Sequence, residues 1–196
     1  MKQADFESPK LRAMLYGDSG SGKTRLLGSA MYCTETCPIL IMNARGQPQS
    51  LKGQDKKPLV LTVETMTDFN MVYDWFSRGQ PVPKPIATNG YTPEVITDLP
   101  DPFNWIYEYL VKGEYERFNS FGVDSITQVQ RIAMDAVQRT DEQWRPDYIP
   151  DKSTYGDWGK ILSLLTKFAD YHFDLPVHVF ITALTRRDEV PSLGTT

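Results

Sequence analysis

Residues 17–24 read Gly-Asp-Ser-Gly-Ser-Gly-Lys-Thr, which is a complete G-x-x-x-x-G-K-[ST] phosphate loop. Its glycines let the backbone turn tightly, so that successive N–H groups can point inward at phosphate oxygens. The lysine of such a loop reaches the β- and γ-phosphates, and the hydroxyl of the last residue reaches Mg²⁺. The loop therefore predicts a nucleotide site.

The flanking sequence supports this interpretation. The apolar run 11–16 predicts a buried strand, and residues 25–32 predict a helix. A glycine loop between a strand and a helix brings an anion to a helix N-terminus. The predicted phosphate-binding residues are Gly17, Asp18, Ser19, Gly20, Ser21, Gly22, Lys23, Thr24 and Arg25.

The composition is that of an ordinary globular chain. With 196 residues and 40% hydrophobic residues, we expect one domain over 1–196. The net charge of −4 means that any contact with DNA must use a local patch or a groove between subunits. No apolar stretch approaches the ~20 residues of a membrane span, and the N-terminus lacks the apolar core of a signal peptide. We expect a cytoplasmic protein without membrane contact.

Cys33 and Cys37 are spaced four apart, near the end of the predicted first helix. One helical face could bring both to a metal, but structural zinc usually takes four ligands. The two histidines lie far along the chain. Two reduced, partly buried thiols are therefore the better interpretation.

Strand and helix patterns alternate along the rest of the chain. Further strands are predicted over 38–43, 58–64, 118–123 and 177–182. Helices are predicted near 69–76, 103–112, 126–139 and 158–173. Thr67 or Asp68 is predicted to cap the first of these helices. Strands that are apolar on both faces indicate an α/β fold with a mostly parallel five-stranded sheet covered by helices.

Two polar segments interrupt this pattern. The proline-rich segment 77–102 predicts a long loop, which is a lid, a partner-binding arm or an insertion without chemistry. Residues 140–154 predict a second polar loop.

A second feature of the site comes at the end of the fourth predicted strand. Residues 121–125 read Phe-Gly-Val-Asp-Ser, an apolar strand that ends in an acid. An acid in this place holds Mg²⁺ beside a phosphate loop, directly or through water. Asp124 and Thr24 are thus the predicted metal residues. Ser125 either hydrogen-bonds Asp124 or the waters of the magnesium ion, or it caps the next helix.

Taken together, the 17–24 loop, the strand ending Asn43-Ala44-Arg45-Gly46, the Val123–Thr127 segment and the Val179–Thr182 strand resemble a RecA-like P-loop ATPase core. More narrowly, the chain is similar to small phage-encoded RecA-like ATPases linked to single-strand annealing and recombination. Those proteins share a stretch similar to residues 157–179, and the resemblance covers most of residues 10–187.

This resemblance implies ATP at the loop and magnesium at Thr24 and Asp124. It also implies a homo-oligomer in the host cytoplasm, with single-stranded DNA and phage recombination or replication proteins as partners. Arg186 and Arg187 would face a neighbouring subunit's phosphates or DNA, or be solvated surface charges. The loops 140–154 and 185–196 match DNA-binding positions, although the first is acidic.

The resemblance further implies a polar sensor at Thr182 or Thr185, and an acid after the second strand that orients the attacking water. Arg45 best matches the acid's position, and a guanidinium that stays protonated cannot act as a base. Glu64 is a substitute if the sheet brings it near the γ-phosphate; otherwise it is an exposed strand end. The predicted catalytic residues are Lys23, Glu64 and Thr182.

The sequence bears on four candidate functions. An ATP hydrolase acting in DNA recombination, annealing or replication is favoured, and a nucleotide-bound assembly module with little or no hydrolysis is the alternative. A signalling GTPase is disfavoured, because no D-x-x-G glycine follows Asp124 and no N-K-x-D motif has the right spacing. A small-molecule kinase is disfavoured, because the chain lacks a second substrate-binding set of arginines.

Overall fold

The computed structural model describes residues 9–44, 49–80, 101–142 and 155–185. The strands are β1 (Arg12–Gly17), β2 (Ile39–Ala44), β3 (Leu59–Val63), β4 (Ser120–Asp124) and β5 (His178–Leu184). The helices are α1 (Lys23–Gly28), α2 (Met66–Ser77), α3 (Asp101–Lys112), α4 (Ile126–Glu142) and α5 (Tyr155–Phe173), with short 3₁₀ helices over Ser29–Tyr32 and Gln49–Leu51.

All five strands form one parallel sheet in the order β1-β5-β4-β2-β3. The predicted α/β class and five-stranded parallel sheet are confirmed. Because the strands are parallel, all their carboxyl ends lie at one edge of the sheet, and the strand order makes β1, β5 and β4 neighbours there. The phosphate loop follows β1 at that same edge.

Both faces of the sheet are covered, which explains why its strands are apolar throughout. All six residues of β2 are buried. On one face, Leu27 and Met31 pack with Ile39 and Ile41. The opposite face carries the larger, aromatic core, whose buried members include Phe69, Phe76, Phe118, Phe121 and Phe168.

Several predicted element boundaries are corrected by the structure. Helix α2 is capped by Thr65, not by Thr67 or Asp68: the Thr65 hydroxyl accepts from the Asp68 N–H, and the Asp68 carboxylate accepts from the Thr65 N–H. Helix α4 runs through Glu142, so residues 140–142 are helical. Helices α3 and α5 begin two and three residues before their predicted starts.

Parts of the two predicted loops lie outside the described residues. Within the segment 77–102, Ser77 ends α2 and Asp101 begins α3, and residues 81–100 are not among those described. The same holds for Arg45, Arg186, Arg187 and residues 143–154. No helix in the described part of the chain is long and apolar enough to span a membrane.

Arg12 fastens β1 to the turn that leads into β5. Its guanidinium donates to the carbonyls of Phe173 at 2.5 Å, Leu175 at 2.6 Å and Val177 at 2.5 Å. Phe173 ends α5 and the other two residues follow it, so these carbonyls have no hydrogen-bond donor within the helix. The strand that carries the phosphate loop is thereby tied to the strand beside it.

His172 lies inside the aromatic core. Its ring stacks on Phe121 with centroids 5.2 Å apart and lies 4.0 Å from the ring of Phe168. Its Nδ1 bonds the Phe168 carbonyl at 2.6 Å, while its buried Nε2 has no hydrogen-bond partner in the structure. Burial lowers the pKa of His172 to about 4.

This histidine predicts acid sensitivity. Since its pKa in the fold lies below the ordinary 6.5, the unfolded chain binds the proton first, and stability is lost as pH falls from about 6.5 toward about 4. The loss from this group amounts to roughly 3 kcal/mol. We expect His172→Phe to flatten the dependence of the unfolding free energy on pH in that range, measured by urea denaturation.

His178→Gln is the matched control, because His178 is the more exposed histidine, and it should change the pH dependence less. If His172→Phe and the wild type lost stability in parallel between pH 6.5 and 4, the assignment would be wrong.

Candidate nucleotide-binding site

The backbone of the phosphate loop has the shape that its glycines allow. Gly20 and Gly22 have φ values of 78° and 87°, a region that favours glycine. Gly22 is the residue before α1, and no side chain caps that helix. The N–H groups of the first turn of α1 are therefore not taken by a capping side chain, which suits an anion.

Lys23 reaches back over the loop. Its ammonium donates to the carbonyls of Gly17 at 2.8 Å and Asp18 at 2.7 Å, and lies 3.3 Å from the Ser21 hydroxyl. The positive charge is thus placed among the backbone groups of the loop, where phosphate oxygens would meet it.

Asp124 joins the phosphate loop to the sheet. The Thr24 hydroxyl donates to Oδ2 of Asp124 at 2.5 Å, and the Thr182 hydroxyl donates to Oδ1 at 2.5 Å. Thr24 lies in α1, Asp124 ends β4, and Thr182 lies in β5 with no exposed surface. Three of the predicted site residues therefore form one hydrogen-bonded group.

Ser125 connects Asp124 to α4. The peptide bond between Asp124 and Ser125 is cis. The Ser125 carbonyl accepts from the N–H groups of Gln128 at 2.9 Å and Val129 at 3.1 Å, so this residue occupies the cap position of α4. These are backbone contacts, so both roles of the Ser125 hydroxyl stay predictions.

The end of β5 makes further contacts with the loop. The Thr185 hydroxyl donates to the Asp18 carboxylate at 2.5 Å, and its N–H donates to the Gly17 carbonyl at 3.1 Å. The Leu184 N–H donates to the Thr127 hydroxyl at 3.0 Å. The two candidate sensors thus differ: Thr182 contacts the predicted metal residue, whereas Thr185 contacts the phosphate loop.

Asn43, named above only as part of the end of the second predicted strand, lies beside Asp124 in the sheet. It pairs in register with Asp124, and residues directly opposite in a parallel pair share a face of the sheet. Only 5% of its surface is exposed. The predicted catalytic position at Arg45 lies outside the described residues. At the level of Asp124, the second strand presents an amide, which does not act as a base at neutral pH.

Glu64 lies outside this group. It follows β3, which is separated across the sheet by about 10 Å from β4, the strand of Asp124, and by about 19 Å from β1. The Glu64 side chain is exposed, and its backbone N–H donates to the Asp68 carboxylate at 3.0 Å. This placement disfavours the base role that the sequence offered for Glu64.

The residues that the structure brings together fit a magnesium–nucleotide. Mg²⁺ prefers oxygen ligands and is commonly held by one or two carboxylates together with phosphates and water. Asp124 and the Thr24 hydroxyl provide such oxygens beside the loop. Within the described ranges, no cluster of three or more His, Cys, Asp or Glu side chains suits a metal. A metal at Asp124 would therefore need ligands from a bound phosphate or water.

Comparison with known proteins adds little to this geometry. No family model matches the chain, and no curated protein does. Among solved structures, a similar one is an ATPase from the type III secretion system of pathogenic bacteria. The TM-score is 0.49 at 15% identity, over 92% of this chain and 45% of that chain. This chain thus spans less than half of that protein.

The architecture itself defines the class. A parallel α/β sheet with a phosphate loop between β1 and α1, and an acid at the end of β4 facing that loop, is the P-loop nucleotide-binding fold.

The two threonines of β5 give a test of this geometry. Thr182→Val keeps the shape of a fully buried side chain but leaves Oδ1 of Asp124 without its donor, so we expect a loss of roughly 1–3 kcal/mol in the free energy of unfolding. Thr185→Val at an exposed position should cost less, and urea denaturation of both variants measures the difference. Equal losses would contradict the structural role given to Thr182.

Proposed function

We propose that the protein binds ATP with Mg²⁺ and hydrolyses it. The observation that carries this proposal is the hydrogen bond between Thr24 and Asp124, which joins the phosphate loop to the predicted metal-binding acid across 100 positions of sequence. A chance glycine-rich turn would not require this partner. The Lys23 ammonium among the loop carbonyls supports the same function.

Each residue of the site then has a distinct task. The loop N–H groups and Lys23 bind the phosphates. Thr24 and Asp124 would hold a magnesium ion, which would neutralise part of the phosphate charge. Thr182 holds one oxygen of Asp124, which orients the other toward Thr24. Thr185 and Asp18 fix the end of β5 against the loop.

A specific observation favours a second candidate, a nucleotide-bound assembly module with little or no turnover. Asn43 stands at the level of Asp124, and the exposed Glu64 lies at the distant edge of the sheet. Neither placement offers a base for an attacking water. ATP binding alone can still switch a protein between two states.

We further propose a role in phage DNA recombination, single-strand annealing or replication, as a homo-oligomer in the host cytoplasm. This part of the proposal depends on the resemblance of most of residues 10–187 to RecA-like phage ATPases. Its partners would be single-stranded DNA and other recombination or replication proteins.

Phosphate release by the wild type and by Lys23→Ala, with and without single-stranded DNA, tests the proposal. We expect the wild type to release phosphate, and Lys23→Ala to lose about 100-fold or more, because the ammonium no longer stabilises the transferred phosphoryl group. Lys112→Ala is the matched control, since Lys112 is exposed on α3.

The outcomes separate the alternatives. Stimulation by single-stranded DNA would support the recombination role, and affinity for the strand should then fall with salt. Binding of ATP without phosphate release in either protein would favour the assembly module. Failure to bind ATP at millimolar concentration would overturn both.

The position of Glu64 generates a separate expectation. Because β3 is the edge strand farthest from β1, Glu64→Gln should leave the rate of phosphate release within about twofold of the wild type. A loss of tenfold or more would contradict this expectation and would support Glu64 as the base.

A further inference from the structure

Both cysteines of the chain lie at the two ends of one turn. The Cys37 N–H donates to the Cys33 carbonyl at 2.9 Å, and the Thr36 N–H donates to the same carbonyl at 3.2 Å. A hydrogen bond from residue i+4 to residue i sets the two Cα atoms about 6 Å apart. Disulfides span about 4.4–6.8 Å between Cα atoms, so this turn falls within their range.

The two thiols differ in exposure and in partners. Cys33 is exposed, and its thiol donates to the Glu35 carboxylate at 2.7 Å. Cys37 is half-buried, and its thiol lies 3.7 Å from the Tyr115 hydroxyl. Both partners are side-chain contacts that a change of rotamer can release. An accessible thiol beside a sheltered one suits an attacking and a resolving cysteine once the Cys33 thiol has left the Glu35 carboxylate, because the attacking group is the thiolate.

The backbone on either side of the turn is firmly held. The Cys37 carbonyl accepts from the Asn119 side-chain amide at 2.6 Å, and the following Pro38 carbonyl accepts from the Asn119 N–H at 3.0 Å. The Thr36 hydroxyl is buried and donates to the Ala30 carbonyl at 2.7 Å. The backbone of the turn is therefore held in place while either cysteine side chain changes its rotamer.

We infer that Cys33 and Cys37 form a thiol–disulfide exchange site for small disulfides. The Cys33 thiolate attacks one sulfur of the small disulfide, forms a mixed disulfide and releases one thiolate. The Cys37 thiolate then attacks the Cys33 sulfur, closes the Cys33–Cys37 bond and releases the second thiolate. The two cysteine protons end on the two released thiols, so that the cysteines are oxidised while the small disulfide is reduced.

Oxidised glutathione is the probe that tests this inference on the full chain. After incubation and acid quenching, intact-mass measurement should show the loss of two hydrogens from the wild type, with neither cysteine then accessible to iodoacetamide. Because the chain has only these two cysteines, the product has one assignment within a monomer.

Single-cysteine variants separate the two steps. Cys37→Ser should stop at one glutathione on Cys33, since no resolving thiol remains. Cys33→Ser should react more slowly, because Cys37 is half-buried. Circular dichroism verifies that both variants are folded before the reaction is followed.

Three results would overturn the inference. The first is a wild type that accumulates the glutathione adduct without closing the bond. The second is a disulfide-linked dimer as the main product. The third is that both thiols of the wild type stay free under conditions in which oxidised glutathione modifies Cys37→Ser.

Discussion

The arrangement of the site depends on one carboxylate that is held at both of its oxygens. Asp124 accepts from Thr24 on one side and from Thr182 on the other, and so connects the phosphate loop, β4 and β5. A side chain with both oxygens engaged has little freedom to turn, which fixes the direction from which a divalent ion would be bound. The loop and the acid therefore act as a unit, although they lie 100 positions apart in the sequence.

The sheet is built to permit this contact. Gly122 faces α1, and a Cβ at this position would come within 3.0 Å of Leu27 and 3.3 Å of Ile39. Because glycine has no Cβ, α1 can lie close to the sheet at this position, with Thr24 near Asp124. Insertion of β5 between β1 and β4 places Thr182 beside the same carboxylate and Thr185 beside the loop. Local sequence and global topology thus serve one site.

Local signals predicted much of this fold. The glycine pattern of 17–24 and the apolar strand before Asp124 carry their own chemistry, and short apolar runs predicted all five strands. Contacts between distant segments were not predictable: strand order decides that Asn43 stands beside Asp124 and Glu64 does not, and no periodicity encodes strand order. The cap of α2 was missed because Thr65, Thr67 and Asp68 all suit that role, and only the contacts choose among them.

Titration of ATP into the wild type and into Asp124→Asn, in magnesium and in EDTA, is the most direct measurement. The wild type should bind ATP more tightly in magnesium, whereas the variant should bind with similar affinity in both buffers, because the charged oxygen ligand is gone. Asp74→Asn, exposed on α2, should behave as the wild type. Retention of the full magnesium effect by Asp124→Asn would contradict the account.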